Sequence, residues 1–465
     1  MTCQAGISYI KPMANLMEKV VSLAKRRGFV FPSSEIYGGV AGVYDYGPLG
    51  VELAKNIKDL WWQDMVYQRD DIYGIDGSII MHPKSWEASG HVAGFTDPLV
   101  DCKKCKKRIR ADKLEDWELK KENKTGQWKI VKPGSLKCPE CGGELIPKVR
   151  QFNLLMETSL GVLEGEKMKI YLKGESCQNI YLDYIHIIDS FSPKIPFGIA
   201  QIGKAFRNEM THGKFLFKTR EFEQYDLEYF IRPKDSAKYY KEWKKIRWDW
   251  YVKRIGLNKK NLHWRQHGED ELIFYAKDAW DIEYKYPWGF DELEGVHDRN
   301  NYDLIQQGKF SGKKLDYQDE ETNKRFVPHI IECSGGVGRT FFASLLDAYH
   351  EEKDKNGIRV FLSLDPRLSP YKIAIFPLLA NKPELVKKAR SAYKNLSADL
   401  VVAWDDIGNI GKRYRRQDEI GTPWCVTVDY QTLKDDTVTI RERDTMKQKR
   451  LKVDKLKDYF QNRLK

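Results

Sequence analysis

At 465 residues the chain is long enough for two or three domains, each able to bury its own core. Its hydrophobic fraction is 41% with no apolar run near 18 residues, which excludes a membrane-spanning helix. A formal net charge of +12 suits an anionic partner, and eight cysteines, four of them in two CxxC pairs, fit a reducing cytoplasm better than a disulfide framework.

The N-terminus, MTCQAGISYIKPMANLMEKV, lacks the basic-then-apolar layout of a secretory leader. From Met13 to Arg27, Leu16, Val20, Leu23 and Ala24 recur at helical spacing, with Gly28 as the stop. The glycine-rich run from Tyr37 to Gly50 reads as a loop whose backbone can approach another element closely. Pro48 suits the first turn of a second helix, on which Leu53, Ile57, Leu60, Trp61 and Met65 form one apolar stripe. Next come Cys102-Lys-Lys-Cys105 and Cys138-Pro-Glu-Cys141-Gly-Gly, two knuckles whose four thiolates can close a tetrahedral zinc shell. Four sulfur ligands leave no open position, so such a zinc is structural. Between the knuckles, Glu115 to Lys137 is charged and carries Trp117 and Trp128, the pattern of an inserted subdomain.

Phe197 to Phe230 holds two runs of strand-like alternation around a polar turn at Met210 to Lys214, which predicts an antiparallel hairpin. Gln201, Gly203 and Ala205 share a face with Arg207 and Glu209, and Phe222 and Asp226 are in phase on the second strand. The pair offers an Arg for a phosphate, an acceptor for an exocyclic amine and a ring for a base. That is the outline of an ATP site without a glycine-rich phosphate loop. Asp235 to Gly256 reads as a helix, and Trp280 to Tyr286 as a strand that Trp288 to Gly295 breaks. A strand from His329 ends in Glu332-Cys-Ser334-Gly-Gly, and Arg339 opens a helix. An arginine there opposes the helix dipole by ~0.5 kcal/mol, so an anion is expected beside it. After a turn-rich linker, Leu362 to Pro370, strands at Tyr371 to Pro377, Leu400 to Trp404 and Trp424 to Val428 alternate with helices at Pro383 to Leu396 and from Gly408. This predicts a small βαβ domain with a mostly parallel sheet. GNIGKRYRR within it lacks the spacing of a phosphate loop.

FGIAQIGKAFRNE followed by REFEQ resembles motif 2 of the class II aminoacyl-tRNA synthetases, in the wording of their glycyl, α2-type branch. YDYGPLG resembles that branch's first motif and HIIECSGGVGRTFFASLL its third. The C-terminal run resembles the anticodon-binding domain shared by the glycyl, histidyl, prolyl and threonyl enzymes. The resemblance runs from about residue 13 to 465 and implies an α+β fold. An antiparallel-sheet catalytic domain would span 1–365, with a zinc-ribbon insertion at 101–150, and an α/β anticodon-binding domain would span 366–465. It further implies a cytoplasmic homodimer that uses ATP and Mg2+ to activate glycine and transfers it to the 3′ end of tRNA-Gly.

The same resemblance distributes the site. It puts Arg207 at the α-phosphate as the catalytic group, Glu209 at the adenine amine and Phe222 at the adenine face. Asn208, His212, Phe217, Lys218, Thr219, Leu293 and Gly336 would line the nucleotide, with Glu292 on its magnesium side and Arg339 against base and γ-phosphate. Glu175, Asp226, Glu332 and Ser334 would surround the glycine ammonium, with Arg110 and Arg299 balancing their charge and facing the carboxylate. YLKGESCQNIYLDY departs from the usual YLRPETAQGIF at Lys173, Gly174, Ser176 and Cys177, and Asp226 stands where Glu is expected. Lys412, Arg413, Arg415 and Arg416 are either tRNA-backbone contacts or solvated charge. Two other readings are a non-catalytic nucleic-acid binder and a prolyl, threonyl or histidyl sister enzyme. Arg207, Glu209, Phe222 and Arg339 together argue against the first; REFEQ and IIECSGG argue against the second.

Overall fold

The computed structural model describes residues 13–114, 116–121, 127–163, 165–209, 213–268, 276–354 and 357–464. His212 and the middle of the expected turn after Glu209 lie outside these residues. The central sheet has seven strands, in the spatial order Leu262–Gln266, Asp278–Tyr286, Gly289–Asn300, His329–Gly336, Glu221–Ile231, Phe197–Phe206 and Ile72–Gly74. All neighbours are antiparallel except the last pair.

Alternation along these strands decides what each face carries. On one face Tyr225, Leu227, Tyr229, Ile231, Ile331 and Cys333 are buried in the main core, under the helices Pro48–Trp62 and Val337–Ala348. On the other face only one end is apolar. There Phe197, Ile199, Phe230 and Ile330 pack with Ile180 and Tyr184 of the helix Cys177–Phe191. The same strands then present Gln201, Asp226, Glu228, Glu332 and Ser334 toward that helix's first turn, where Cys177 meets Glu228 and Glu332. The polar end of this face is where a site can form.

The antiparallel hairpin forms as expected, and its register sets Ala205 opposite Phe222 and Gln201 opposite Asp226. Pro48 opens its helix at the first position. The close approach expected of the glycine-rich loop occurs at Gly50, where a Cβ would lie 1.8 Å from the Phe29 carbonyl oxygen. One expectation is corrected. Trp288 to Gly295 does not end the strand region but turns it, and Gly289–Asn300 pairs back along Asp278–Tyr286. Gly289, at φ +117, permits that tight turn.

The inserted segment forms a three-stranded sheet of Arg108–Arg110, Thr96–Asp101 and Arg150–Asn153, with a small core that includes Val100, Ala111, Trp117 and Leu145. The C-terminal sheet has five strands. Val402–Trp404, Ile373–Pro377 and Trp424–Val428 are parallel as expected, and Thr437–Glu442 and Gln448–Lys452 extend it antiparallel. No described helix is long and apolar enough to cross a membrane.

Candidate active site

A cleft of about 840 Å³ opens over the polar end of the sheet. Its walls include Arg110, Arg207, Glu209, Phe217, Lys218, Thr219, Phe222, Glu292, Ser334, Gly336 and Arg339, residues from four distant stretches of the chain. Leu293 points into the core at 0% exposure, and Asn208 donates its backbone N–H to Leu154 at 2.7 Å.

Arg207 lies between two rings, its guanidinium 5.1 Å from Phe95 and 5.2 Å from Phe222. Its Nε donates to the Gly174 carbonyl at 3.1 Å, and Nη2 lies 3.5 Å from Glu175 Oε1. Glu209 has Lys218 Nζ 2.9 Å away. The anion expected beside Arg339 is Glu292, at 2.8 Å, while the guanidinium sits 4.6 Å over the Phe217 ring. Each charge on this wall therefore has one or two light partners, and Arg207 and Arg339 stay about a quarter exposed.

Below the cleft the surroundings change. The strand pairing sets Asp226 opposite Ser334 and Glu228 opposite Glu332. Asp226 is 1% exposed and Glu228 fully buried, and none of their four carboxylate oxygens has a hydrogen-bond partner among the described residues. Burial, then the charges of Glu332 and Glu175, push Asp226 up to about 8 against the pull of the Ser334 hydroxyl and Lys173. Burial and Glu332 hold Glu228 well above the carboxylate range too. Glu175 and Glu332 go the other way. Burial would raise Glu175, but His91 Nε2 at 3.0 Å, Arg207 and Arg299 outweigh it and hold it well below the usual range. Glu332 accepts from Arg299 Nη1 at 2.9 Å and from His297 Nδ1 at 2.8 Å, which together lower it.

Burial thus pushes Asp226 and Glu228 toward the neutral form, while the cationic partners of Glu175 and Glu332 favour their ionised form. Arg299 is 1% exposed and grips Asp303 through two bonds of 2.9 and 3.0 Å besides Glu332. Arg110 reaches the cleft from the insert, held by Asp97 at 2.9 Å and by Asp112. Lys173 is fully buried, donating to the Gly77 carbonyl and to Asn179 Oδ1 at 3.0 and 3.1 Å. Gly203 leaves it room, since a Cβ there would lie 3.1 Å from Nζ.

Sequence reasoning missed His91, His297, Glu228 and Phe95. Glu228 had a signal, since it is two residues past Asp226 and so shares its face. The others come from segments with no motif. In the C-terminal domain the basic run divides. Arg413 is 2% exposed and donates to the carbonyls of Asp406 and Gly408, and Arg416 forms a two-bond pair with Asp405, so these two are structural.

The four cysteines of the insert converge, with all sulfurs within 4.8 Å of one another. Cys102 and Cys141 lie 3.6 Å apart and Cys105 and Cys138 3.9 Å apart. Thiolates bound at 2.3 Å to one tetrahedral zinc stand roughly 3.8 Å apart, so the donor set fits that ion.

Comparison with known proteins places these features in a family. Residues 162–349 match the tRNA synthetase class II core domain (G, H, P, S and T), and residues 372–463 match the anticodon binding domain. The chain is similar to the glycine–tRNA ligase of Borrelia garinii subsp. bavariensis, 48% identical over 96% of this chain and 97% of that one. It is 49% identical to the glycine–tRNA ligase of Treponema denticola over 94% of each chain. It is 46% identical to that of Clostridium acetobutylicum over 97% of this chain and 99% of the relative.

Proposed function

Because the chain belongs to the glycine–tRNA ligase family, a ligase that joins glycine to tRNA using ATP, we propose how its residues divide that reaction. In the first step a glycine carboxylate oxygen attacks the α-phosphorus of ATP, forming glycyl-adenylate as pyrophosphate leaves. Arg207 is the catalytic group, meeting the charge that develops on the α-phosphate oxygens. Phe222 offers a ring to the base and Glu209 an acceptor to its exocyclic amine. Arg339 exchanges Glu292 for the γ-phosphate, while Asn208, Phe217, Lys218, Thr219 and Gly336 complete the nucleotide wall; Leu293, buried in the core, is not part of it. Glu292, an exposed oxygen donor on that wall, suits Mg2+, which would neutralise phosphate charge when bound. In the second step the terminal 3′-hydroxyl of tRNA-Gly takes the glycyl group and AMP leaves.

Glycine sits below, its ammonium among Glu175, Asp226, Glu332 and Ser334. Arg299 acts on it through Glu332, and Arg110 faces its carboxylate from the insert. The observation that carries this assignment is the sealed Asp226 carboxyl next to the cleft, which among the described residues has no ion-pair partner and is drawn toward its charged form by the Ser334 hydroxyl and the Lys173 charge. A positive ligand is what such a group lacks. Glycine-dependent ATP–pyrophosphate exchange tests it. Glu175→Gln is expected to raise the glycine KM at unchanged ATP KM; a rise in the ATP KM alone would move the residue to the nucleotide side.

The cysteines Cys102, Cys105, Cys138 and Cys141 hold one structural zinc, which would knit the insert together and supply no chemistry. Metal analysis of the reduced protein is expected to find it, and a Cys105→Ser, Cys141→Ser double variant to lose it. The domain division at 365/366 is supported by the cores, which part between Leu368 and Ile373. A homodimer is supported by Ile36 and Tyr37, apolar and 88% and 87% exposed on the glycine-rich loop. A cytoplasmic location is supported by the described cysteines, all free thiols.

A further inference from the structure

Beyond the far side of Glu332, three strands bring a second set of donor atoms together. His267 follows Leu262–Gln266, Asp281 lies on Asp278–Tyr286 and His297 on Gly289–Asn300. One donor atom from each lies within 4.8 Å of the others. His267 Nε2 is 2.6 Å from Asp281 Oδ2, and His297 Nε2 is 3.6 Å from Asp281 Oδ1. The second distance is too long for a hydrogen bond, and His297 Nε2 is a buried nitrogen with no hydrogen-bond partner among the described residues. It is the right length for two ligands of one ion. Nitrogen and oxygen donors at 2.0–2.2 Å from a tetrahedral zinc stand roughly 3.4 Å apart.

Three further observations point the same way. The other ring nitrogen of His297 donates to Glu332 Oε2 at 2.8 Å, which fixes the ring with Nε2 facing Asp281. Metal-ligating imidazoles commonly have such a carboxylate behind them. Gly295 stands opposite Asp281 in the strand pairing, and a Cβ there would come within 2.6 Å of His297 Nε2. The backbone is therefore bare where the ring turns inward. Finally, among the described residues Asp281 forms ion pairs with the two histidines and not with Lys or Arg, and both imidazoles keep about one-fifth of their surface open to solvent. An ion has a way in and a charge to meet.

We propose that His267, Asp281 and His297 bind one divalent transition metal ion of the zinc type, separate from the four-cysteine cluster. Two imidazole nitrogens and one carboxylate suit first-row divalent ions over magnesium or calcium, and leave a position for water. The ion takes the place of the protons on the two Nε2 atoms. It stands one side chain away from Glu332, so it braces a wall of the glycine pocket from behind without touching the substrate.

The test uses the full-length reduced protein, stripped of loosely held metal and titrated with Co2+. Expected is one cobalt per chain beyond those held by the cysteines, with weak visible bands of nitrogen–oxygen ligation distinct from thiolate charge-transfer bands. His267→Ala and Asp281→Asn are each expected to weaken that cobalt at least ~10-fold while the thiolate bands persist. The Cys105→Ser, Cys141→Ser variant is expected to show the reverse. Should His267→Ala lose the thiolate bands and glycine-dependent exchange through misfolding, His267→Gln replaces it. Parent protein that takes up no cobalt outside the cysteines overturns the proposal. So does uptake that His267→Gln and Asp281→Asn leave at the parent affinity.

Discussion

The nucleotide wall and the glycine pocket share two strands, yet they treat charge in opposite ways. On the wall, Arg207 and Arg339 are about a quarter exposed, Arg207 standing 3.5 Å from Glu175 and Arg339 paired at 2.8 Å with the exposed Glu292. In the pocket, Asp226 and Glu228 are sealed from water with four unpartnered oxygens. On the proposed assignment, the wall is satisfied without its ligand and would exchange partners on binding, whereas Asp226 and Glu228 would wait for an ammonium to supply what the described protein groups do not. Large, highly charged ATP can displace weak partners, whereas glycine has no side chain to contribute and its site must store the discrimination itself.

The largest effect expected concerns the wall. Arg207→Ala should lower the rate of glycine-dependent ATP–pyrophosphate exchange at least ~100-fold, since the lost interaction strengthens as the transition state forms. Its fold, checked by thermal melting, should be close to the parent's. A variant that keeps its exchange rate and loses only ATP affinity would make Arg207 a binding group like the rest of the wall.

The pocket should behave differently. Asp226→Asn removes a group whose charge the fold opposes. Asp226 is raised to about 8 from an ordinary carboxyl value, so its cost to stability is absent in acid and grows as pH rises between those values. At neutral pH the variant should therefore melt higher, by roughly 2 °C or more, while the glycine KM rises about 10-fold or more. A variant that binds glycine poorly and is also less stable would mean that Asp226 is satisfied in the free protein. The comparison would then break.

The same contrast explains what could be read from the sequence. The wall was legible because Arg207, Glu209, Phe222 and Arg339 sit in short ordered runs whose alternation fixes which side chains share a face. The pocket was legible only in part. Glu175, Asp226 and Glu332 could be named, and Arg299 as the charge that balances them, but the other partners that set their protonation could not. His91 comes from a short helix, His297 from the strand stretch that follows the expected break at Trp288 to Gly295, and Lys173 from a buried loop contact with Gly77. None has a spacing relation to the acid it meets, because tertiary packing alone brings them together. The C-terminal sheet shows the same limit. Its parallel strands followed from alternation with helices, while the charged strand Gln448–Lys452 did not stand out.

A smaller effect follows from pH. Glycine brings an ammonium that prefers an ionised Asp226, and near neutrality the carboxyl must first lose its proton. The glycine KM should fall roughly 3–10-fold between pH 7 and 8.5, as Asp226 passes about 8, while the ATP KM stays flat. In Asp226→Asn that slope should vanish. A slope equal in both proteins would assign the titration to another group.

The smallest effect concerns alanine. One methyl group is worth only ~1–3 kcal/mol in a pocket, so refusing it depends on walls that do not yield. Glu332 is such a wall. One of its oxygens is held by Arg299 and the other by His297, and its side chain is 6% exposed. Asp226 is a weaker one, because it is unpartnered and one methylene shorter than the glutamate expected at its place. Asp226→Glu should therefore fill that space and sharpen discrimination against alanine by a small factor, about 2–5-fold, with little change for ATP. Ser334→Gly, which opens the facing strand, should relax it by a similar factor, and Glu332→Ala by more. Alanine-dependent exchange measured in the parent and the three variants orders these walls. Unchanged discrimination in all three, accompanied by weaker ATP binding, would place Glu332 and Ser334 on the nucleotide side. The division between wall and pocket would then have to be drawn between Asp226 and Glu228, two residues further along the shared strand Glu221–Ile231.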